Sequence, residues 1–311
     1  LKNKNSPNTS IKKNSIITIG TFDGVHVGHQ EILKRLISIS EEEGLESVVL
    51  TFFPHPRMVL QKDSKIKLLN TIDERQQTLT DLGIDKIVIQ KFTKEYSRLT
   101  AIEFIRDILV NKLHSKIVVV GYDHHFGRNR SANIEDLREY GEVYNFEVIE
   151  IPAQDIANVA VSSTKIRNAL AKGDIVTANK FLGYNFMLNG TVVKGNGLGK
   201  TINFPTANIS IAENYKLIPK KGVYIINSLI NNEPVFGMMN IGKKPTVQGK
   251  KKTIEVHLFD FNKDLYGQKM QINLLKRIRN EEKFDSIQEL QNQLKKDREY
   301  ALAYLDSFKN E

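Results

Sequence analysis

The chain contains no cysteine. Disulfides, thiolate metal sites and a cysteine nucleophile are therefore excluded. No apolar run approaches the roughly 20 residues that a membrane-spanning helix requires. The opening stretch LKNKNSPNTSIKKN is polar, with no apolar segment behind it. It does not read as a secretory signal, and a cytoplasmic location is the expectation that remains. Neither GxxxxGK[ST] nor GxGxxG occurs, so a nucleotide would be held by another scheme than those two turns. Zinc-finger spacing and a dense basic helix are also missing.

What is present is an ordinary globular composition: 311 residues, 40% apolar and 26% charged. At roughly 150 residues per domain, two domains are expected. The formal charge of +9 is uneven. Residues 1–182 hold 25 basic and 23 acidic side chains, a net +2, and residues 183–311 hold 20 and 13, a net +7. Such a surface attracts any polyanion, including a nucleoside triphosphate. Lysine outnumbers arginine, which suits solubility better than rigid phosphate forks. The expected partners are small molecules, not nucleic acid or a membrane, and the expected state is a monomer or weak homo-oligomer.

The first half alternates strand and helix. SIITIG (15–20) reads as a buried strand ending at glycine. Ile32, Leu33, Leu36, Ile37 and Ile39 then form a helical apolar face that stops at Gly44. Strands are expected at 47–53, 86–90 and 116–121, and helices at 72–82, 101–112 and 133–140. That order predicts an α/β domain with a parallel, Rossmann-like sheet covered on both faces. The second half changes character. Strands at 187–194, 222–230, 235–241, 253–259 and 269–275 follow one another across turns, and helical periodicity returns only at 286–308. This predicts an antiparallel β-barrel with a C-terminal helix. The expected boundary lies between residues 184 and 185.

TFDGVHVGH (21–29) lies between a buried strand and a helix, where α/β sheets place ligands. Gly24 and Gly28 let the backbone approach a phosphate, Gly20, Thr21 and Phe22 are expected in the same ATP-binding turn, and the helix start offers free N–H groups. His26 and His29, three apart, face one way and can stabilise a transferring phosphoryl group; the same spacing also suits metal ligands or surface histidines. VSSTKIRNAL (161–170) places Ser162 and Thr164 at a helix start with Arg167 behind them, a phosphate site or an ordinary capped helix. In GYDHHFGRNR (121–130), Asp123 can accept hydrogen bonds and Phe126 can stack on a flat ring.

In the second half, GLGKTINFPTAN (197–208) joins a glycine loop containing Gly199 and Lys200 to Thr206 and Asn208. Their oxygens are hard ligands suited to Mg²⁺, and an extended chain turns both to one side. A plain hairpin loop has the same composition. In TIEVHLFDF, Ile254, Val256 and Leu258 alternate with Thr253, Glu255 and His257, so Glu255 faces away from the core. There it is a general base or a solvated strand carboxylate. RIRNEEKF (277–284), with Arg279 and Glu281, precedes the last helix and is expected to close one end of a pocket.

Taken together, these blocks resemble the bacterial bifunctional riboflavin kinase and FMN adenylyltransferase family, also called prokaryotic FAD synthetase. The resemblance rests on GTFDGVHVGHQ, LTFFPHP, VVGYDHHFG and SSTKIR in the first half. In the second it rests on FPTANI, KKGVY, NIGKKPTV, IEVHLFDF, DLYG and RIRNEEKF. It implies that ATP phosphorylates riboflavin to FMN in the C-terminal module, and that ATP adenylylates FMN to FAD, releasing pyrophosphate, in the N-terminal one. It implies an α/β nucleotidyltransferase fold for the first module and a riboflavin-kinase β-barrel for the second, and it puts His26 and His29 on that first fold's HxGH histidines and Ser162, Thr164 and Arg167 on its phosphate-binding segment. Asp123 and Phe126 fall in its flavin-side block, and Arg279 and Glu281 are assigned to flavin binding as well. Thr206 and Asn208 match its Mg-ATP ligands, and Glu255 its proposed base. Three positions depart from the usual pattern: Lys200 where arginine is frequent, Asn203 for glycine, and His124 for phenylalanine.

Overall fold

The structure, a computed structural model, describes residues 14–61, 65–152, 161–194, 204–246 and 249–308. Contacts divide the chain into two units, 1–163 and 164–311.

The first unit is organised around β1 (Ser15–Ile19), whose five residues are all buried. A strand with no polar alternation is covered on both faces. Its residues feed two cores. Ile17 and Ile19 join Val48, Leu50, Val118 and Val120 on one side, while Ile16 joins Val49, Ile117 and Val119 on the other. The second core is closed by Leu33, Leu36 and Ile39 of α1 (Val27–Glu43). That helix stops at Gly44, whose left-handed backbone (φ 63°) suits glycine.

The other strands are β2 (Glu46–Phe53), β3 (Lys86–Lys91), β4 (Ser115–Gly121) and β5 (Glu147–Ile151). They run parallel in the spatial order β3-β2-β1-β4-β5. The chain moves outward from β1 to β3 and returns on the other side at β4. The strand order thus switches between β1 and β4, which opens a crevice at their carboxyl ends. Helices α2 (Pro56–Leu60) and α3 (Ile72–Asp81) follow β2, and Thr71 and Glu74 form a reciprocal capping box at the start of α3. The helix expected at 101–112 begins as α4 (Ala101–Glu103) and continues as a π-helix over Phe104–Val110. Next comes α5 (Ile134–Tyr144), capped by Asn133. β5 was not anticipated, although Val148, Ile149 and Ile151 supply an apolar pattern; only Ile151 of its five residues is buried.

α6 (Ser163–Lys172) and α7 (Ile175–Leu182) precede the barrel. Within the second unit, Leu170 accepts a hydrogen bond from the Lys220 N–H. The Asn179 amide donates to the Leu274 carbonyl and accepts from the Phe186 N–H. The barrel comprises β6 (Met187–Val193), β7 (Ala207–Ser210), β8 (Gly222–Ile230), β9 (Glu233–Thr246), β10 (Gly249–Leu258) and β11 (Lys269–Arg279). It closes in the order β10-β7-β6-β11-β8-β9, antiparallel throughout. α8 (Ile287–Phe308) packs Ala301 and Leu305 onto Val223, Ile225 and Met238. Those three therefore mark the outer face. Their strand neighbours Tyr224, Ile226, Met239 and Ile241, all fully buried, fill the interior.

Candidate active sites

The first constellation sits where β1 runs into α1. Gly24 takes φ 92°, a turn that favours glycine, and Gly28 is buried in the first helical turn. Gly20, Thr21 and Phe22 form the approach, with Phe22 itself buried. His26 caps α1, and its Nδ1 accepts from the His29 N–H at 3.4 Å. With Nδ1 accepting, the proton of a neutral His26 lies on Nε2. The two imidazoles stack at 3.7 Å between centroids and 12° between planes, and the Phe22 ring meets His29 at 5.1 Å. His29 Nδ1 is buried with no hydrogen-bond partner. Burial, then the neighbouring His26 and Arg75, hold the His29 ring well below the usual imidazole range. The unit thus presents stacked imidazoles, His29 held neutral, at the positive end of a helix, an arrangement able to donate to an anion.

Beneath this turn lies a buried polar group that sequence reading missed. The Asp23 carboxylate accepts from the Leu69 and Asn70 N–H groups at 2.9 and 3.3 Å and lies 3.9 Å from Arg75. Arg75 is fully buried and donates to Thr51 Oγ1 and the Phe52 carbonyl, both at 3.3 Å. Thr51 donates onward to the Thr21 carbonyl at 3.1 Å. The Ser163 hydroxyl, at the end of this unit, donates to the Asp23 carbonyl at 2.8 Å. Within SSTKIR, Ser162 and Arg167 are half-buried and Thr164 is exposed. Past the neighbouring β4, Asp123 is exposed. Phe126 is buried, packed toward Phe104 at 6.0 Å, with the His124 ring stacked on it at 6.0 Å. Burial pushes His124 down to about 4, and its Nε2 has no partner.

The second constellation lies on the outer wall of the barrel. Glu255 of β10 stands opposite Asn208 of β7 and Asn240 of β9. Directly paired residues share a face, so one carboxylate is flanked by two amides across three strands. Ile254, Val256 and Leu258 are buried, as the alternation required. Thr206 precedes β7 and is half-buried. His257 reaches back to this segment: its Nδ1 lies 2.8 Å from the Pro205 carbonyl. Arg279 grips Asp297 of α8 with a bidentate fork (2.9 and 2.7 Å), and Glu281 lies 3.4 Å from Lys221. Arg277, unremarked in the sequence, donates to the Lys221 carbonyl and Asn280 at 2.6 and 2.7 Å. Gly199, Lys200 and Asn203 fall outside the described residues.

Residues 8–165 match the family model of FAD synthetase, and residues 182–305 match that of riboflavin kinase. The chain is 38% identical over 303 residues to a bifunctional riboflavin kinase/FMN adenylyltransferase of Buchnera aphidicola subsp. Acyrthosiphon pisum, covering 96% of each. It is 38% identical over 283 residues to the protein of the same name from Escherichia coli K12, covering 91% of this chain and 90% of that one. The chain belongs to the bifunctional riboflavin kinase/FMN adenylyltransferase family. A solved structure titled as a macrolide-efflux protein from Streptococcus pneumoniae shares the fold, with a TM-score of 0.84 and 33% identity over 94% of both chains. Among the described residues of this family member, no helix is long and apolar enough to cross a membrane.

Among the described residues, no group of three or more His, Asp or Glu side chains comes together to hold a metal. Mg²⁺ delivered with a nucleotide needs no such cage, because it keeps its waters and phosphate oxygens and takes one or two protein oxygens. The Thr206 hydroxyl and the Asn208 amide oxygen are donors of that kind, and the donor set fits the ion.

Proposed function

We infer that this chain makes FAD in two ATP-dependent steps: its barrel phosphorylates riboflavin to FMN, and its α/β unit adenylylates FMN with release of pyrophosphate. The observation that supports this reading is that each unit holds its own polar constellation, one a stacked pair of imidazoles and one a carboxylate paired in register with two amides.

The chemistry of the two steps matches that difference. The FMN phosphate is already an anionic nucleophile, so adenylyl transfer requires alignment and charge stabilisation, not a base. His26 and His29 are assigned to hold the ATP phosphates as hydrogen-bond donors at the α1 terminus, beside Gly20, Thr21, Phe22, Gly24 and Gly28. Ser162, Thr164 and Arg167 are assigned to phosphate binding, and Asp123 to the flavin side of that unit. The ribityl hydroxyl of riboflavin is a poor nucleophile near neutral pH. Glu255 accepts its proton as the γ-phosphoryl group transfers. Thr206 and Asn208 hold Mg²⁺, which when bound neutralises charge spreading over the phosphate oxygens. Gly199 and Lys200 are assigned to the phosphates, and Arg279 and Glu281 to the flavin end. Residues 1–184 are thereby assigned to adenylyl transfer and 185–311 to phosphorylation.

One time course tests the whole reading. Purified protein with riboflavin, ATP and Mg²⁺ should yield FMN first and FAD later, resolved by chromatography. Absence of FMN would remove the kinase assignment, and failure to convert supplied FMN would remove the other.

A further inference from the structure

The barrel's paired register ends one residue short of Thr206. β7 begins at Ala207, which pairs with Val256, while Asn208 pairs with Glu255. Continued by one step, the ladder would set Thr206 opposite His257. It does not continue, and Pro205, with no N–H to give, contributes no donor there. The segment that carries a metal-ligand assignment is thus left without strand pairing on the side facing β10.

His257 fills that gap with its side chain. Its Nδ1 lies 2.8 Å from the Pro205 carbonyl, a contact spanning 52 residues of sequence. A carbonyl oxygen can only accept, so the ring donates from Nδ1. The ring is fixed by Phe204, 5.1 Å away and tilted, and by Phe259, 5.9 Å away and edge-on. Phe204 and Phe259 are buried in the cluster beneath α8. The imidazole therefore stands on a rigid base, and its one fixed bond goes to the residue immediately before Thr206.

We propose that His257 is a positioning residue of the kinase site, whose Nδ1–H to Pro205 hydrogen bond sets Thr206 and Asn208 in place for Mg-ATP. The proposal rests on the assignment of Thr206 and Asn208 to the metal. His257 need not touch substrate; it acts through the backbone it holds.

The test compares His257→Phe and His257→Asn in the full-length protein, with Thr206→Ala alongside. Phenylalanine keeps the ring contacts and removes the donor. Asparagine restores an N–H close to the position of Nδ1. The Phe variant should raise the kinase KM for Mg-ATP about 2- to 10-fold, the ratio expected for one neutral hydrogen bond. The KM for riboflavin and the rate of FMN adenylylation should stay at wild-type values. The Asn variant should return the Mg-ATP KM most of the way. A purely structural role would lower the folded fraction without moving that KM, and rescue by Asn would not appear. An unchanged Mg-ATP KM in the Phe variant, with Thr206→Ala impaired, overturns the proposal alone. An unimpaired Thr206→Ala across a Mg²⁺ titration overturns the metal assignment beneath it.

Discussion

Replacing His26 by asparagine separates two jobs that one side chain performs. Its Nδ1 accepts the His29 N–H as the N-cap of α1, and its ring, stacked at 3.7 Å on His29, offers Nε2–H to a ligand. Asparagine is among the best N-caps, whereas alanine at such a position costs about 0.5–2 kcal/mol. His26→Asn therefore keeps the cap and gives up the stacking, worth about 0.5–1.5 kcal/mol. A loss of that size shifts the melting temperature by only a few degrees in a unit of this length, roughly 2–4 °C per kcal/mol. The chemical loss is larger. Removing one preorganised donor from a developing phosphate charge should slow adenylylation about 10²–10³-fold, equivalent to ~2.7–4 kcal/mol. The assay is FAD formation from FMN and ATP, with riboflavin phosphorylation in the same sample as internal control. His26→Ala should show the same rate loss with a greater fall in melting temperature. Near-normal FAD formation by His26→Asn would show that the ring serves as a cap and nothing more. Equal loss of both reactions would also refute the assignment.

Three further outcomes are expected. Glu255→Gln retains shape but cannot take the ribityl proton, so single-turnover phosphorylation should fall roughly 10²–10⁴-fold while FMN adenylylation continues; a near-normal rate would remove Glu255 as base. His124 sits at about 4 when folded against a usual 6.5, so below pH 6.5 the unfolded chain binds a proton that the folded chain refuses until about 4. Stability should fall across that window, by up to about 2 kcal/mol at pH 5, and His124→Phe should flatten the dependence in denaturant titrations at pH 5 and 8; an unaltered slope would contradict the burial argument. A fragment from residue 162 should melt higher and phosphorylate riboflavin better than one from 183, because the shorter piece loses the Asn179 bonds to Leu274 and Phe186; equal stability of the two would show those contacts to be idle.

Local pattern carried much of this architecture. The uncharged stretch at 15–19, with Ile16, Ile17 and Ile19, marked a buried strand, and Ile254, Val256 and Leu258 told which way Glu255 turns. The three-residue spacing of His26 and His29 sufficed to put them on one side, since a single helical turn fixes that. What stayed hidden depends on distant partners. Arg75 reads as an exposed helix arginine within IDERQQ, yet it is fully buried because Asp23, Thr51 and Phe52 meet it from elsewhere in the chain. β7 has only four residues, too short for a period, and becomes a strand by pairing with β6 and β10 on its two sides. His257 showed its face in the alternation but not its hydrogen bond, which needs a proline 52 residues away.

The two constellations also differ in how they treat negative charge, and the difference agrees with the nucleophiles of the two reactions proposed for them. In the first unit the carboxylate nearest the histidines, Asp23, is buried to 1% exposure and bound by two N–H groups beside Arg75. Its charge is directed inward, onto the Leu69 and Asn70 N–H groups and Arg75. His29, held neutral by burial, likewise cannot pair with a nearby acid as an imidazolium, and remains available to a phosphate. On the barrel, Glu255 has amides, not cations, at its register positions on both sides. A lysine or arginine at 208 or 240 would draw the carboxylate into an ion pair and away from a substrate hydroxyl. Asparagine at these two positions offers hydrogen bonds and no charge, and Asn208 carries the oxygen assigned above to the metal. The first unit buries the carboxylate of the turn that carries its histidines, and the barrel leaves Glu255 half-exposed with an amide side chain at each register position.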